Sequence, residues 1–259
     1  LFIMDVPSAE LTKYAANIML AARISLMNEL AGLCEQVGAN IDRVRLGIGS
    51  DSRIGYQFLY AGAGYGGSCL PKDVKAMISL SKKLNYHMEL LEGIDHVNMR
   101  QKHVIFQKMK HYFEELGGLE GKKFAILGLS FKPDTDDIRE ASSIDLIQQL
   151  LKHGAHISAF DPVAIENAKK VLPKNPNLAF AKDEINAAKD ADGIVLMTEW
   201  KQFRFLDFKA ITPLLKRRVF FDGRNQYLPE KMQKMGFDYI SIGKRSDLAR
   251  DITEMRVGE

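Results

Sequence analysis

The 259 residues are 46% apolar, enough for one large domain or two modest ones with a true core. A net charge of +3 is too small to argue for nucleic acid or an anionic membrane surface, though it is compatible with an anionic small ligand. Two cysteines and no long apolar run argue against a disulfide framework and a membrane span, so a reducing cytoplasm is expected, and the start at Leu1 reads as a piece of something longer.

Ser8 can cap a helix, with Ala9, Glu10 and Leu11 in its first turn. Leu11, Tyr14, Ala15, Ile18, Met19, Ala22, Leu26, Leu30 and Leu33 then recur at helical spacing to Val37, and Gly38 suits a left-handed stop. A helix over 8–37 with few charges in its middle predicts burial on more than one side, with a subunit interface as one way to achieve it. Cys34, among Leu30, Leu33 and Val37, reads as a core residue. Lys13 and Asn17 share a face at i,i+4. They are either a solvated pair or an ammonium and an amide presented together to a substrate. A short helix is expected over 41–46, then a loop over 47–55 in which Arg53, taken alone, is a surface charge.

The stretch 58–74 carries Gly62, Gly64, Gly66 and Gly67, then Cys69, Pro71, Lys72 and Asp73. Four glycines in six residues allow tight bends and close approach to a ligand. Pro71 fits the first turn of a helix that starts just after Cys69. Free N–H groups, the helix dipole and Lys72 favour the reactive thiolate there, and Asp73 can face Cys69 across the first turn. The residues alone leave two readings open: a nucleophile fed by a ligand-hugging loop, or an ordinary Gly-rich turn beside an inert cysteine. Gly62, Gly64 and Gly67 match the dinucleotide spacing, but no strand follows within a βαβ length.

A further helix is expected over 88–116. His96, His103 and His111 fall on one stripe of it, too far apart along the axis to share a metal, and no metal site is expected. The glycines of 117–121 mark the boundary between a helical domain over 1–116 and a second domain over 117–259. Strands are expected at 123–129, 156–160, 178–181, 193–198, 219–221 and 239–242. Helices fit between them at 142–152, 164–171, 183–189, 208–215 and 229–235. The alternation predicts an α/β chain: a long-helix central domain followed by a doubly wound, Rossmann-like parallel sheet. The loop after the first strand, 128–133, is then a ligand site, but without the glycines of a dinucleotide loop.

Phe58-Leu59 followed by Gly64-Tyr65-Gly66-Gly67-Ser68-Cys69-Leu70-Pro71-Lys72-Asp73-Val74 resembles the active-site signature of the UDP-glucose/GDP-mannose dehydrogenase family. These are nucleotide-sugar dehydrogenases that oxidise a hexose C6 alcohol to a carboxylate. Ala9-Glu10-Leu11 with Lys13, Tyr14 and Asn17 is similar to the family's first catalytic helix, whose Lys and Asn face the sugar and the cysteine. Phe131-Lys132, Asp134-Thr135, Asp137 and Arg139-Glu140 match a second signature. There the Phe and Lys hold the sugar nucleotide, and the Arg reaches the NAD pyrophosphate. The Arg of Arg53-Ile54-Gly55 is implied to reach the sugar in a neighbouring subunit, as is Arg224 of Asp222-Gly223-Arg224. Thr198-Glu199-Trp200 resembles another family feature, with Trp200 assigned to packing.

The resemblance covers nearly all of this chain and about the later two-thirds of a full member. It implies that the N-terminal Rossmann domain, with the main NAD site, lies outside the chain. The implied catalytic set is Cys69, Lys13, Asn17 and Asp73, and the implied substrate set is Arg53, Phe58, Leu59, Tyr60, Ala61, Gly62, Gly66, Phe131, Lys132 and Arg224. Lys72 and Arg139 are implied for NAD. The expected reaction is NAD-dependent oxidation of UDP-glucose to UDP-glucuronate through a cysteine adduct, by a homodimer joined through the helix 8–37. Two alternatives stand beside it: GDP-mannose as substrate, or a non-catalytic nucleotide-sugar-binding and dimerisation module. Ser68 before Cys69, where UDP-N-acetylmannosamine enzymes usually carry a His, sets this chain apart from those.

Overall fold

A computed structural model describes residues 3–245. The first helix, α1, runs Val6–Val37. Its cap is Asp5, not Ser8: the Asp5 carboxylate accepts the Ser8 N–H at 2.9 Å. Pro7 occupies the first turn at no cost, because an N–H there would have no helical partner. Gly38 ends the helix at φ 75°, as expected. Along α1, Ala21, Ser25, Met27, Asn28, Ala31 and Cys34 are buried. Leu11, Met19, Leu26, Leu33 and Val37 remain exposed on another flank.

α2 (Ile41–Gly49) outlasts the expected 41–46, with Asn40 capping the Asp42 N–H. α3 (Leu70–Lys83) starts directly after Cys69. In place of one helix over 88–116 there are two, α4 (Glu89–Gln101) and α5 (Val104–Glu114). The break falls at Lys102 and His103. Lys102 there turns a buried ammonium toward Glu140 and Asp145, which follow β1 in the chain.

The sheet holds β1 (Lys123–Leu127), β2 (His156–Phe160), β3 (Leu178–Phe180), β4 (Gly193–Leu196), β5 (Val219–Asp222) and β6 (Asp238–Ser241). All pairs are parallel, in the order β3-β2-β1-β4-β5-β6, so the strand order reverses between β1 and β4. The intervening helices are α6 (Ser142–Lys152), α7 (Ile165–Val171), α8 (Glu184–Ala188), α9 (Phe208–Ile211) and α10 (Pro229–Lys234). α9 is shorter than the expected 208–215 because Pro213 cannot continue the α-helical ladder, and a 3-10 turn, Thr212–Leu214, follows. A second 3-10 turn, Lys201–Phe205, has no counterpart among the expected elements.

Successive strand residues point to opposite faces and build two separate cores. Phe124, Ile126, Val195, Phe221 and Ile240 pack with Phe113, Met109 and Ile105 of α5 and with Met27, Ala31 and Cys34 of α1. Ala125, Leu127, Ile194, Leu196, Phe220 and Tyr239 pack with Trp200, Phe203 and Phe237 on the other face. The first of these cores is shared between the long helix and the sheet. A return segment reinforces the join: Gly243 donates to Glu35 at 2.7 Å and accepts from the Ile41 N–H at 2.9 Å, and Lys244 pairs with Asp42 at 2.6 Å.

Candidate active site

Cys69 is the residue before α3, with an exposed thiol 3.8 Å from the Ser68 hydroxyl. It is tied to Asp73 through the main chain, where the Asp73 N–H donates to the Cys69 carbonyl at 3.0 Å. The Asp73 carboxylate points instead to α1. Its Oδ2 accepts from Lys13 Nζ at 2.9 Å and from Asn17 Nδ2 at 2.6 Å. Its Oδ1 lies 3.4 Å from Lys72 Nζ and has no hydrogen-bond partner among the described residues, although the side chain is fully buried. Burial pushes the Asp73 carboxyl up, but the hydrogen bonds from Lys13 and Asn17 and the neighbouring cations outweigh it and hold the pKa below the usual carboxylate range. Lys13 is raised, first by its bond to Asp73, against desolvation, with a smaller contribution from the Asp73 charge. Lys13 and Asp73 therefore form an ion pair, with the neutral Asn17 amide as a second donor, and the three side chains hold α1 against the first turn of α3, directly after Cys69. Lys13 is about two-thirds exposed and spends one of its three N–H donors on Asp73, so donors remain for an oxyanion.

The glycine loop is held by amide side chains. The Gly62 N–H donates to Asn28 Oδ1 at 2.9 Å, and Gln101 Nε2 donates to the Gly62 carbonyl at 2.7 Å. Asn98 accepts from the Tyr65 N–H and donates to the Tyr65 carbonyl, as a second strand would. Residues 62–67 are buried, and the sheet supplies the other wall: Ala63 donates to the Gly223 carbonyl at 2.8 Å and Gly67 to the Arg139 carbonyl at 2.7 Å. A Cβ on Gly66 would sit 2.5 Å from the Glu140 carbonyl oxygen, and one on Gly67 would sit 2.6 Å from the Phe131 ring. These two glycines admit protein, not only ligand, at close range. Ahead of the loop, Phe58 takes a left-handed φ of 59°, Leu59 is buried, Ala61 is half-buried, and Tyr60 is exposed with its ring under the Arg45 guanidinium.

The second signature folds over this loop. Phe131 donates its N–H to Asp137 and carries the Lys132 ammonium 5.4 Å above its ring. Arg139 is exposed and pairs with Asp137 at 2.8 Å; its pKa is raised chiefly by that bond, with Cys69 a minor contributor. Arg224 is mostly buried and points inward. It donates to the Met197 carbonyl at 2.7 Å and to the Gly64 and Phe131 carbonyls at 3.3 Å. Within one chain it pins both loops together. Below it, buried Asp222, raised by desolvation, accepts from the Arg224, Gln226 and Tyr227 N–H groups and the Tyr239 hydroxyl. Asp161, at the end of β2, gathers the Leu129 and Ser130 N–H groups and the Trp200 indole N–H, so Trp200 is bonded as well as packed.

The fold thus joins Lys13, Asn17, Lys72 and Asp73 next to Cys69, and binds Gly62, Gly66, Phe131 and Arg224 into the adjoining wall. Arg53 is engaged elsewhere, in a bidentate pair with Asp51. Asn28, Asn98, Gln101, Lys102 and Glu140 have structural roles in the site that the sequence reading missed. A signal was present for two of them: Asn98 and Gln101 fall on the stripe of α4 that also carries Ile94 and Val97. A polar run on a buried stripe calls for specific partners.

Two family models match the chain: the central domain of the UDP-glucose/GDP-mannose dehydrogenase family over residues 7–100, and its UDP binding domain over residues 125–229. A UDP-glucose 6-dehydrogenase from Pseudomonas aeruginosa is 44% identical over 245 residues, covering 93% of this chain and 54% of that protein. A Bacillus subtilis UDP-glucose 6-dehydrogenase is 41% identical over 242 residues, covering 93% and 54%. The structure of a UDP-glucose dehydrogenase from Pyrobaculum islandicum superposes with a TM-score of 0.80 at 34% identity, over 93% of this chain and 51% of that one. The chain spans about half the length of the curated relatives it matches, less than the two-thirds expected from sequence. On these matches, and with its six-stranded parallel sheet and long-helix domain, the chain belongs to the UDP-glucose/GDP-mannose dehydrogenase family.

Proposed function

We propose that this chain is the catalytic and UDP-sugar-binding portion of an NAD-dependent UDP-glucose 6-dehydrogenase, with Cys69 as nucleophile. The observation that carries the reading is the fully buried Asp73 carboxylate, which ties Lys13 and Asn17 of α1 to the first turn of α3, the helix that starts directly after the exposed Cys69. Residues 1–116 serve as the central domain and 117–259 as the nucleotide-sugar domain. The match to a UDP binding domain and the similarity to UDP-glucose 6-dehydrogenases favour UDP-glucose over GDP-mannose.

In this mechanism the C6 alcohol loses a proton and a hydride to become an aldehyde. The Cys69 thiolate adds to that carbon, forming a C–S bond and an alkoxide that Lys13 and Asn17 stabilise. Loss of a second hydride leaves a thioester. Water then cleaves the C–S bond, giving the carboxylate and the free thiol. NAD, when bound, supplies the hydride acceptor. Lys72 and Arg139, two exposed cations, would have the charge to hold its pyrophosphate. Asp73 serves mainly as the ionised anchor of Lys13 and Asn17, with Lys72 as a further cation 3.4 Å from its Oδ1.

The exposed stripe of Leu11, Met19, Leu26, Leu33 and Val37 supports a homodimer through α1. The reaction is tested on the full-length enzyme by counting NADH per active site, with UDP-glucose and with its C6 aldehyde as separate substrates. Cys69→Ala should abolish acid formation and leave slow alcohol oxidation. Acid formation at near wild-type rate in that variant would remove the thiol from the mechanism. Calorimetry on this chain should show tighter binding of UDP-glucose than of GDP-mannose.

A further inference from the structure

Glu140 sits in the second signature with a left-handed backbone, φ 55°, which a non-glycine residue holds only when its surroundings enforce it. Two sets of contacts do so. On the main-chain side, the Arg139 carbonyl accepts from the Gly67 N–H at 2.7 Å, and the Glu140 carbonyl lies so near Gly66 that no Cβ fits between them. On the side-chain side, Oε1 accepts from Lys75 of α3 at 2.8 Å and Oε2 from Lys102 at 2.6 Å. Lys102 is buried, with only 3% of its side chain exposed, and its stem would contact a Cβ on Gly64. Its other anion, Asp145 of α6, lies farther off at 3.6 Å.

We infer that Glu140 is a positioning residue for Cys69: the main chain at 139–140 holds the turn just before the thiol, through the Arg139 carbonyl and the close approach of the Glu140 carbonyl, and the Glu140 carboxylate grips the helix just after it. Cys69 itself touches neither group, so the effect passes through Gly66–Gly67 on one side and Lys75 on the other. A carboxylate with two charge-assisted bonds, one to a buried ammonium, is a firm anchor. Burial of Lys102 also explains why α4 and α5 are separate helices: the chain turns there to bring the ammonium to Glu140. The charged groups around this carboxylate are Lys75, Lys102, Asp145 and Asp95, with Tyr65 facing the same region. The role rests on the reading of Cys69 as nucleophile; the anchoring does not.

The test compares Glu140→Gln with Asp145→Asn, which also removes an anion from Lys102 but leaves the glycine turn untouched. In this chain, Glu140→Gln should speed amide hydrogen exchange of the segment 64–73 at least tenfold, with β1 and β4 unchanged, while Asp145→Asn leaves 64–73 at the wild-type rate. In the full-length enzyme, Glu140→Gln should lower kcat for the C6 aldehyde at least tenfold with KM within twofold. Lys75→Met loosens only the α3 side of a half-exposed pair, keeps the fold, and should speed exchange of 64–73 about threefold. Uniform acceleration across all segments, or an unchanged 64–73 segment in both Glu140→Gln and Lys75→Met, would overturn the inference. Acid formation by Cys69→Ala would bring down the nucleophile reading instead, whatever the exchange result.

Discussion

The glycines ahead of Cys69 can be made to report what they accommodate. Gly38, Gly66 and Gly67 differ in two properties that alanine substitution separates. Gly38 has φ 75° with nothing within 4 Å of an added Cβ, so Gly38→Ala costs only the left-handed strain, about 1 kcal/mol. Gly67 combines φ 84° with a Phe131 ring atom 2.6 Å away, so Gly67→Ala adds overpacking to the same strain, roughly 2–4 kcal/mol in all. Gly66 has no left-handed φ, but its Cβ would meet the Glu140 carbonyl at 2.5 Å, and a backbone atom cannot rotate aside. Gly66→Ala should therefore cost roughly 1–3 kcal/mol from contact alone. Urea titration gives these values directly, and thermal melting should show about 2–4 °C per kcal/mol for a chain of this size. UDP-glucose affinity, by calorimetry, should fall in Gly67→Ala, where Phe131 must move, and stay unchanged in Gly38→Ala. Suppose Gly66→Ala and Gly67→Ala both melted with wild type yet lost UDP-glucose. The glycines would then exist for ligand approach, and the packing of the two loops against each other would be wrong.

Phe113 is fully buried with its ring edge-on to Phe124 and Tyr112, and Phe113→Ala should cost about 3–5 kcal/mol by urea titration; a cost below about 1 kcal/mol would mean that α5 does not pack on β1. Hydrogen bonds from Lys102 and then Lys75 lower Glu140 from 4.5 to about 2, so it contributes stability above pH 4.5 that is lost as pH falls toward 2. The difference in unfolding free energy between wild type and Glu140→Gln should accordingly shrink across that window, and a difference independent of pH would count against the ion pairs. Leu26→Glu places a charge in the exposed stripe of α1 and should turn a dimer into a monomer in sedimentation equilibrium at tens of micromolar; a wild-type chain already monomeric there would remove α1 as an interface.

The sheet was legible because buried parallel strands read as short apolar runs between helical segments, and most strand bounds move by only one or two residues. Residue type and spacing put Lys13 and Asn17 on one face of α1 and Asp73 one turn into α3, but only the family resemblance grouped them with Cys69, because a solvated pair reads the same way. Less visible was how the carboxylate would turn. Spacing put Asp73 opposite Cys69, whereas two donors on α1 draw it away. The break between α4 and α5 was hidden because apolar periodicity continues through it, from Ile94 and Val97 to Ile105 and Met109, while its cause lies in Glu140, nearly forty residues later. The inward hold on Arg224 was also hidden: the carbonyls that accept from its guanidinium come from three separate loops, and no local pattern announces such a meeting.

The length of α1 makes it a lever. Its far end is docked to the sheet at Ala31, against which Gly243 packs so closely that an added Cβ would lie 2.8 Å away, while Lys13 and Asn17 ride near the other end. With a rise of 1.5 Å per residue, Lys13 stands about 27 Å from that fulcrum. A tilt of about 5° at the docked end would swing Lys13 by roughly 2 Å, more than the tolerance of a hydrogen bond. Substitutions around Gly243, Ile41 and Glu35, remote from any substrate, should thus be felt as misaimed donors at Cys69.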